Sequence, residues 1–192
     1  MQRTIWFILF LCVNVFYIWN EHAYILIYYT IWTFLLETLF FGLFYATSPR
    51  LRRLQHHLFE TIFAPSIVVF IGFWTMIAPV YMNNDVPKNI VLIFVTHGLN
   101  ALAMISEMQE LTFSCIWKPT LYTIVYNLFL IIYVSSGGRS ISGKLPYWYA
   151  KYDQSIGWVF AVISTMSVVI VHLISSLYVW PIQQPDSKRC IV

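Results

Sequence analysis

The stretch that decides the fold is AYILIYYTIWTFLLETLFFGLFYA, residues 23 to 46, in which Glu37 is the single charge. About 20 consecutive apolar residues suffice for a helix to cross about 30 Å of hydrocarbon. A helix this apolar on every face belongs in lipid or in the centre of a large protein. Five further stretches read the same way, at 4 to 19, 59 to 81, 89 to 108, 119 to 136 and 157 to 180. The expected fold is all-α, an integral membrane bundle of six transmembrane helices, or five if the short first stretch does not cross. Helices satisfy their backbone polar groups within each span, and these segments are too long and too uniformly apolar for barrel strands.

Composition agrees: 59% of the residues are hydrophobic and 10% charged, against about 25% charged in an ordinary soluble domain, and mean hydropathy is +0.71. With 192 residues and short connections, a single transmembrane domain over 1 to 192 leaves no room for a soluble one. Cys12, Cys115 and Cys190 lack the spacing of a zinc or redox site, so no metal is expected. Cys12 reads as packing, while Cys115 and Cys190 fall near membrane edges where acylation is conceivable. The net charge of +3 is scattered over loops, which excludes nucleic acid as a partner.

The first stretch follows Arg3 like the apolar core of a signal peptide. Asn20-Glu21-His22-Ala23 offers no cleavage site, however, so a retained span is expected. Between the second and third spans, Ser48-Pro49 opens a basic segment in which Leu51, Leu54 and Leu58 form one apolar stripe. This predicts a short interfacial helix on anionic headgroups, with a solvated basic loop as the alternative. Six spans place Arg3, Arg50, Arg52, Arg53, Lys118, Lys188 and Arg189 on one side, and Lys88, Arg139, Lys144 and Lys151 on the other. The majority side is cytosolic by the positive-inside rule, so both termini are expected there. Without a first crossing the assignment inverts. Tyr147, Trp148, Tyr149, Tyr152 and Trp158 read as an interfacial aromatic belt, with turns at Gly137-Gly138 and Pro146.

Polar residues inside spans are expensive and tend to mark the working site. On the second span Thr30, Thr33 and Glu37 share a face; on the fourth, Thr96, Asn100 and Glu107 do, with His97 beside them; on the sixth, Thr165, His172 and Ser176 do. These three spans run in the same direction in a six-span fold. At 1.5 Å per residue, Thr30 and His97 then lie roughly 10 and 12 Å deep, and Thr33 and Asn100 about 15 and 17 Å. Glu37 and His172 fall at about 21 and 24 Å, which suggests a buried carboxylate and imidazole pair of structural kind. A hydroxyl beside an imidazole is the minimum for acyl transfer, since the base removes the hydroxyl proton as oxygen attacks an ester carbonyl. Either threonine alone reads more readily as a hydroxyl bonded to its own helix or to a neighbouring one than as a nucleophile. Soluble-hydrolase signatures are missing.

Three stretches carry a resemblance to a known family: TIWTFLLETLFFG at 30 to 42, FAPSIVVFIGFW at 63 to 74, and THGLNA at 96 to 101 running on to Glu110. Their order and intervals resemble those of the androgen-induced protein and androgen-dependent TFPI-regulating protein family over roughly 25 to 180, loosely after 115. The resemblance implies a multi-pass membrane enzyme that hydrolyses fatty acid esters of hydroxy fatty acids with a threonine nucleophile and a histidine partner. The family's threonine falls on Thr30. Its catalytic histidine falls on Asn100, while the preceding histidine of the motif is kept as His97. An amide accepts no proton at neutral pH, so either His97 serves as base or catalysis is lost. The site residues expected are therefore Thr30, His97 and Asn100, the last as an oxyanion donor. No cofactor is implied, and the expected partners are a lipid ester substrate and membrane lipids, in the endomembrane system or plasma membrane. A non-catalytic lipid-binding or partner-binding member of the family is the alternative. A transporter using Glu37, His97, Glu107 and His172 ranks last, because no inverted repeat is evident.

Overall fold

The computed structural model describes residues 2–21, 26–79, 93–107, 111–140, 143–147 and 149–179. Lys88, Glu110, Trp148, Lys188, Arg189 and Cys190, which figure in the sequence reading, lie outside them. All regular structure among the described residues is helical. Four helices, Gln2–Asn20, Pro49–Ile77, Phe113–Ser135 and Ser155–Tyr178, are long and apolar enough to cross a membrane, and Tyr29–Tyr45 is apolar but shorter. The chain is by this measure a membrane protein. It divides into two compact units, Met1–Met108 and Gln109–Val192.

The first unit contains α1 (Gln2–Glu21), α2 (Tyr29–Gly42, extended by a 3₁₀ turn at Leu43–Tyr45), α3 (Pro49–Gly72) and α4 (Asn100–Ser106). A π-helical turn over Phe73–Ile77 prolongs α3, and another over Val95–Leu99 precedes α4. α1 packs on α2, α2 on α3, and α3 on α4. Their seam is aromatic. The Phe10 ring of α1 lies 4.5 Å from Phe34 and 5.6 Å from Phe41 of α2, and Phe40 continues the chain to Phe59 of α3 at 5.8 Å. Ile5, Ile8, Leu11 and Val15 form the opposite, exposed stripe of α1. Lipid tails are as apolar as these side chains, so close packing and internal polar bonds, more than transfer from water, hold the helices together.

The polar contacts fix helix direction. At one end, Arg3 at the start of α1 donates from Nε to Glu107 just beyond α4, at 2.6 Å, and its guanidinium lies 4.1 Å over the Phe44 ring that follows α2. At the other end, Thr30 in the first turn of α2 meets His97 in the turn before α4. α2 and α4 are therefore parallel, and α1 is antiparallel to both. The first helix is a wall of this unit.

The basic segment differs from expectation. Residues 49 to 58 form the first turns of the continuous 24-residue α3 and do not make a separate interfacial helix. No Gly or Pro interrupts the segment between Pro49 and Pro65. Phe59, Glu60, Ile62 and Phe63 are buried, so the helix runs straight from its exposed Arg50, Arg52 and Arg53 into the packed region. Ser48 takes the extended backbone of an N-cap, but its side chain makes no capping bond.

The second unit pairs α5 (Trp117–Ser135) with α6 (Ser155–Val179). The Asn127 amide joins them, donating to the Ala161 carbonyl at 3.1 Å and lying within 3.2 Å of the Ser164 and Thr165 hydroxyls. α5 stops where Gly137 adopts φ 87°, and Gly138 N–H returns to the Tyr133 carbonyl at 2.8 Å. This paired closure needs a left-handed residue, which glycine supplies at the expected turn. Two members of the expected aromatic belt turn inward: Tyr149 stacks on Tyr147 at 5.0 Å and on Phe160 of α6 at 4.3 Å. Trp158 stays exposed. Cys115 is fully buried, which closes it to acylation.

Arg3→Ala strands the Glu107 carboxylate, whose side chain is 4% exposed. Because the arginine itself is partly solvated, the loss is expected to be about 1–3 kcal/mol in detergent unfolding, below that of a fully buried pair. Adding Glu107→Gln recovers much of it. Equal stability of wild type and Arg3→Ala would show that the bond does not seat α1.

Candidate active site

Thr30 is the second residue of α2. Its Oγ1 lies 3.2 Å from His97 Nε2, and both side chains are half-buried. The rest of the imidazole is held from three sides. Nδ1 is 3.1 Å from the Ile93 carbonyl and 2.9 Å from the Thr96 hydroxyl, which itself reaches the Ile93 carbonyl at 3.3 Å. Phe73 of the π-turn after α3 stacks on the ring, with centroids 3.9 Å apart and planes 26° from parallel. The Trp74 indole N–H donates to the His97 carbonyl at 3.1 Å.

These contacts fix the tautomer of the neutral ring. A carbonyl only accepts, so Nδ1 must carry the hydrogen it donates to Ile93, and Nε2 is left with its lone pair facing Thr30. The threonine hydroxyl is then the donor of the 3.2 Å bond. A hydroxyl bonded to an imidazole that a third group orients is the arrangement that nucleophilic acyl transfer requires. The first turn of α2 also places Thr30 at the positive end of the helix dipole, which favours an alkoxide developing there by about 0.3–1 kcal/mol.

The π-turns account for the convergence. Each inserts one residue into the helical repeat and so re-aims the side chains that follow. One turn carries Phe73 and Trp74, the other Thr96 and His97, and all four residues meet at or beside the imidazole.

Asn100 opens α4 and is fully buried. Its Oδ1 accepts the Ala101 N–H at 2.7 Å, while Nδ2 has no partner among the described residues. A buried amide donor without a partner costs about 1–3 kcal/mol, so Nδ2 is a donor open to a water or to a bound acceptor. Of the expected Glu37 and His172 pair, each finds a partner within its own unit. Glu37 is bonded by Ser66 of α3, and His172 Nε2 donates to the Thr112 carbonyl at 3.1 Å. Thr33 donates to the Tyr29 carbonyl one turn back at 3.1 Å.

Sequence reading missed Ser66, Phe73 and Trp74. Ser66 and Trp74 were visible as a polar and a ring N–H residue in an apolar helix, but nothing in the spacing showed where they point. Among the described residues no group of three or more His, Cys, Asp or Glu side chains is placed to hold a metal ion. Compared with protein families, curated proteins and solved structures, the chain matches none.

Nitrogen-15 histidine NMR checks the tautomer. His97 is expected to show a protonated Nδ1 and a pyridine-type Nε2, and Thr30→Val is expected to shift the Nε2 signal while leaving Nδ1 in place. A protonated Nε2 in the neutral ring would contradict the assignment.

Proposed function

We propose that the chain is an intramembrane lipid-ester hydrolase acting on fatty acid esters of hydroxy fatty acids, a member of the androgen-induced protein family that it resembles, with all six helical segments crossing the bilayer. The observation that carries the reading is the Thr30 hydroxyl on the lone-pair nitrogen of an imidazole anchored through its other nitrogen. The exposed Arg50, Arg52 and Arg53 lead α3 at the end where Arg3 begins α1, and this end is assigned to the cytosol.

The proposed reaction begins as Thr30 Oγ1 attacks the ester carbonyl carbon while His97 Nε2 takes the hydroxyl proton. Asn100 Nδ2 donates to the oxyanion of the tetrahedral intermediate, as side-chain amides do in acyl transfer. Collapse breaks the bond to the alcohol oxygen, which leaves with the proton from Nε2, and the acyl group stays on Thr30. Water then attacks the acyl-threonine with His97 again as base, releasing the fatty acid and restoring both side chains. The ordinary chemistry of these residues needs no cofactor. His97 here fills the role that the family's histidine holds at the position of Asn100.

Asn100 at that position also favours a second reading, a non-catalytic family member that binds a lipid or a partner. Turnover by purified protein separates the two. Thr30→Ala is expected to remove activity to background, His97→Ala to lower it about 10²–10⁴-fold, and Asn100→Leu about 10²–10³-fold. Hydrolysis at the wild-type rate by Thr30→Ala ends the assignment of the nucleophile. Lipid binding with no turnover by wild type favours the second reading.

A further inference from the structure

Glu37 sits in the middle of α2 and is fully buried, as is Ser66 opposite it on α3. The Ser66 hydroxyl bonds Glu37 Oε1 and is shared with the Ile62 carbonyl of its own helix at 2.7 Å. Glu37 Oε2 has no partner among the described residues. Inside a span, a bare carboxyl oxygen is expensive enough that its persistence calls for something to meet it. The hydrolytic scheme does not use it.

Two helices independently place this oxygen relative to the Thr30 and His97 pair. Glu37 is seven residues beyond Thr30 on one face of α2, about 10 Å along the axis. On antiparallel α3, Phe73 stacks on His97 while Ser66 meets Glu37, again a separation of seven residues and about 10 Å. The interior of the first unit thus carries two polar stations on a common line, the first a half-buried hydroxyl and imidazole and the second a fully buried carboxyl. Metal binding at the second is not indicated, since no cluster of three ligating side chains exists among the described residues.

We propose that Glu37 Oε2 is a recognition point for the O–H group of a lipid chain, an alcohol hydroxyl or an un-ionised carboxyl, lying about 10 Å from the scissile ester. The placement of that ester at Thr30 rests on the hydrolase reading, whereas recognition of the O–H group does not. An O–H group both donates and accepts, so it satisfies a carboxyl oxygen in either of its charge states. A simple ester carries no such hydrogen. Glu37 is on this view a specificity residue that selects lipids with a second polar group.

The experiment uses full-length protein carrying Thr30→Ala, so that no probe is consumed. Binding of stearic acid, methyl 12-hydroxystearate and methyl stearate is measured in detergent by equilibrium dialysis. The parent is expected to bind one or both O–H probes about tenfold more tightly than methyl stearate, the scale of one hydrogen bond to a charged or desolvated group. Preference for the acid identifies a carboxyl, and preference for the hydroxy ester an alcohol. Adding Glu37→Gln keeps the side-chain shape and an acceptor for Ser66 but puts an N–H donor in place of Oε2, and the preference is expected to vanish. If that chain does not elute as a single folded species, Glu37→Asp, which withdraws the carboxyl by one methylene, is expected to reduce the preference in the same direction. An unchanged preference in a folded Glu37 variant, or no preference in the parent because a buried water alone fills the place, overturns the proposal. Loss of wild-type hydrolysis with the binding preference intact overturns only the hydrolase reading.

Discussion

In a hydrocarbon solvent every polar side chain must find its partner inside the protein, and the first unit is arranged around that constraint. Apolar packing alone cannot choose which face of α2 turns inward, because Leu, Ile and Phe are as content against lipid as against each other. The polar face can. Thr33, Glu37 and Thr38 are buried, with bonds to Tyr29, Ser66 and Asn14 respectively, while Leu39 on the same helix is exposed. The Asn14 amide reaches Thr38 at 2.7 Å and ties α1 to α2 in the same manner. Arg3 and Glu107 close one end, and Thr30 and His97 the other.

The same constraint explains why the two π-turns are tolerated. A wide turn weakens helix geometry and is a poor choice in lipid unless its freed groups are met. Here the Trp74 indole takes the His97 carbonyl, and the Thr96 hydroxyl and imidazole Nδ1 both return to Ile93. The irregular backbone is thus satisfied by the side chains it aims. The turn that places His97 against Thr30 also brings its Nδ1 back to the Ile93 carbonyl, two residues before the turn begins.

Much of this was legible in the sequence because spans impose a ruler. Long apolar runs gave the helical class, and counting residues from a common side put Thr30 and His97 at similar depth; the structure places their side chains 3.2 Å apart. The ruler measures depth and is silent on azimuth. It puts Glu37 and His172 at one depth, and only the azimuth of α2 shows that Glu37 Oε1 meets Ser66 of α3. Arg3 and Glu107, 104 residues apart, carried no local signal of their bond. The π-turns were invisible because an inserted residue leaves an apolar run equally apolar. The basic segment was misjudged for a related reason, since composition changes at residue 58 while the helix does not end there.

The roles proposed for His97 and Asn100 rest on what each side chain lacks. Asn100 is buried with its Oδ1 committed to the Ala101 N–H, so only a donor remains. A donor with no acceptor function stabilises developing negative charge and cannot remove a proton. His97 has the reverse profile, its donor committed to Ile93 and its acceptor facing a hydroxyl. Exchanging the two side chains would put an amide against Thr30, and no base would remain there. Under the proposed reaction, a nucleophile at Thr30 therefore requires the base at 97 and leaves only a donor role to 100, an order that follows from which hydrogen-bonding groups are already committed.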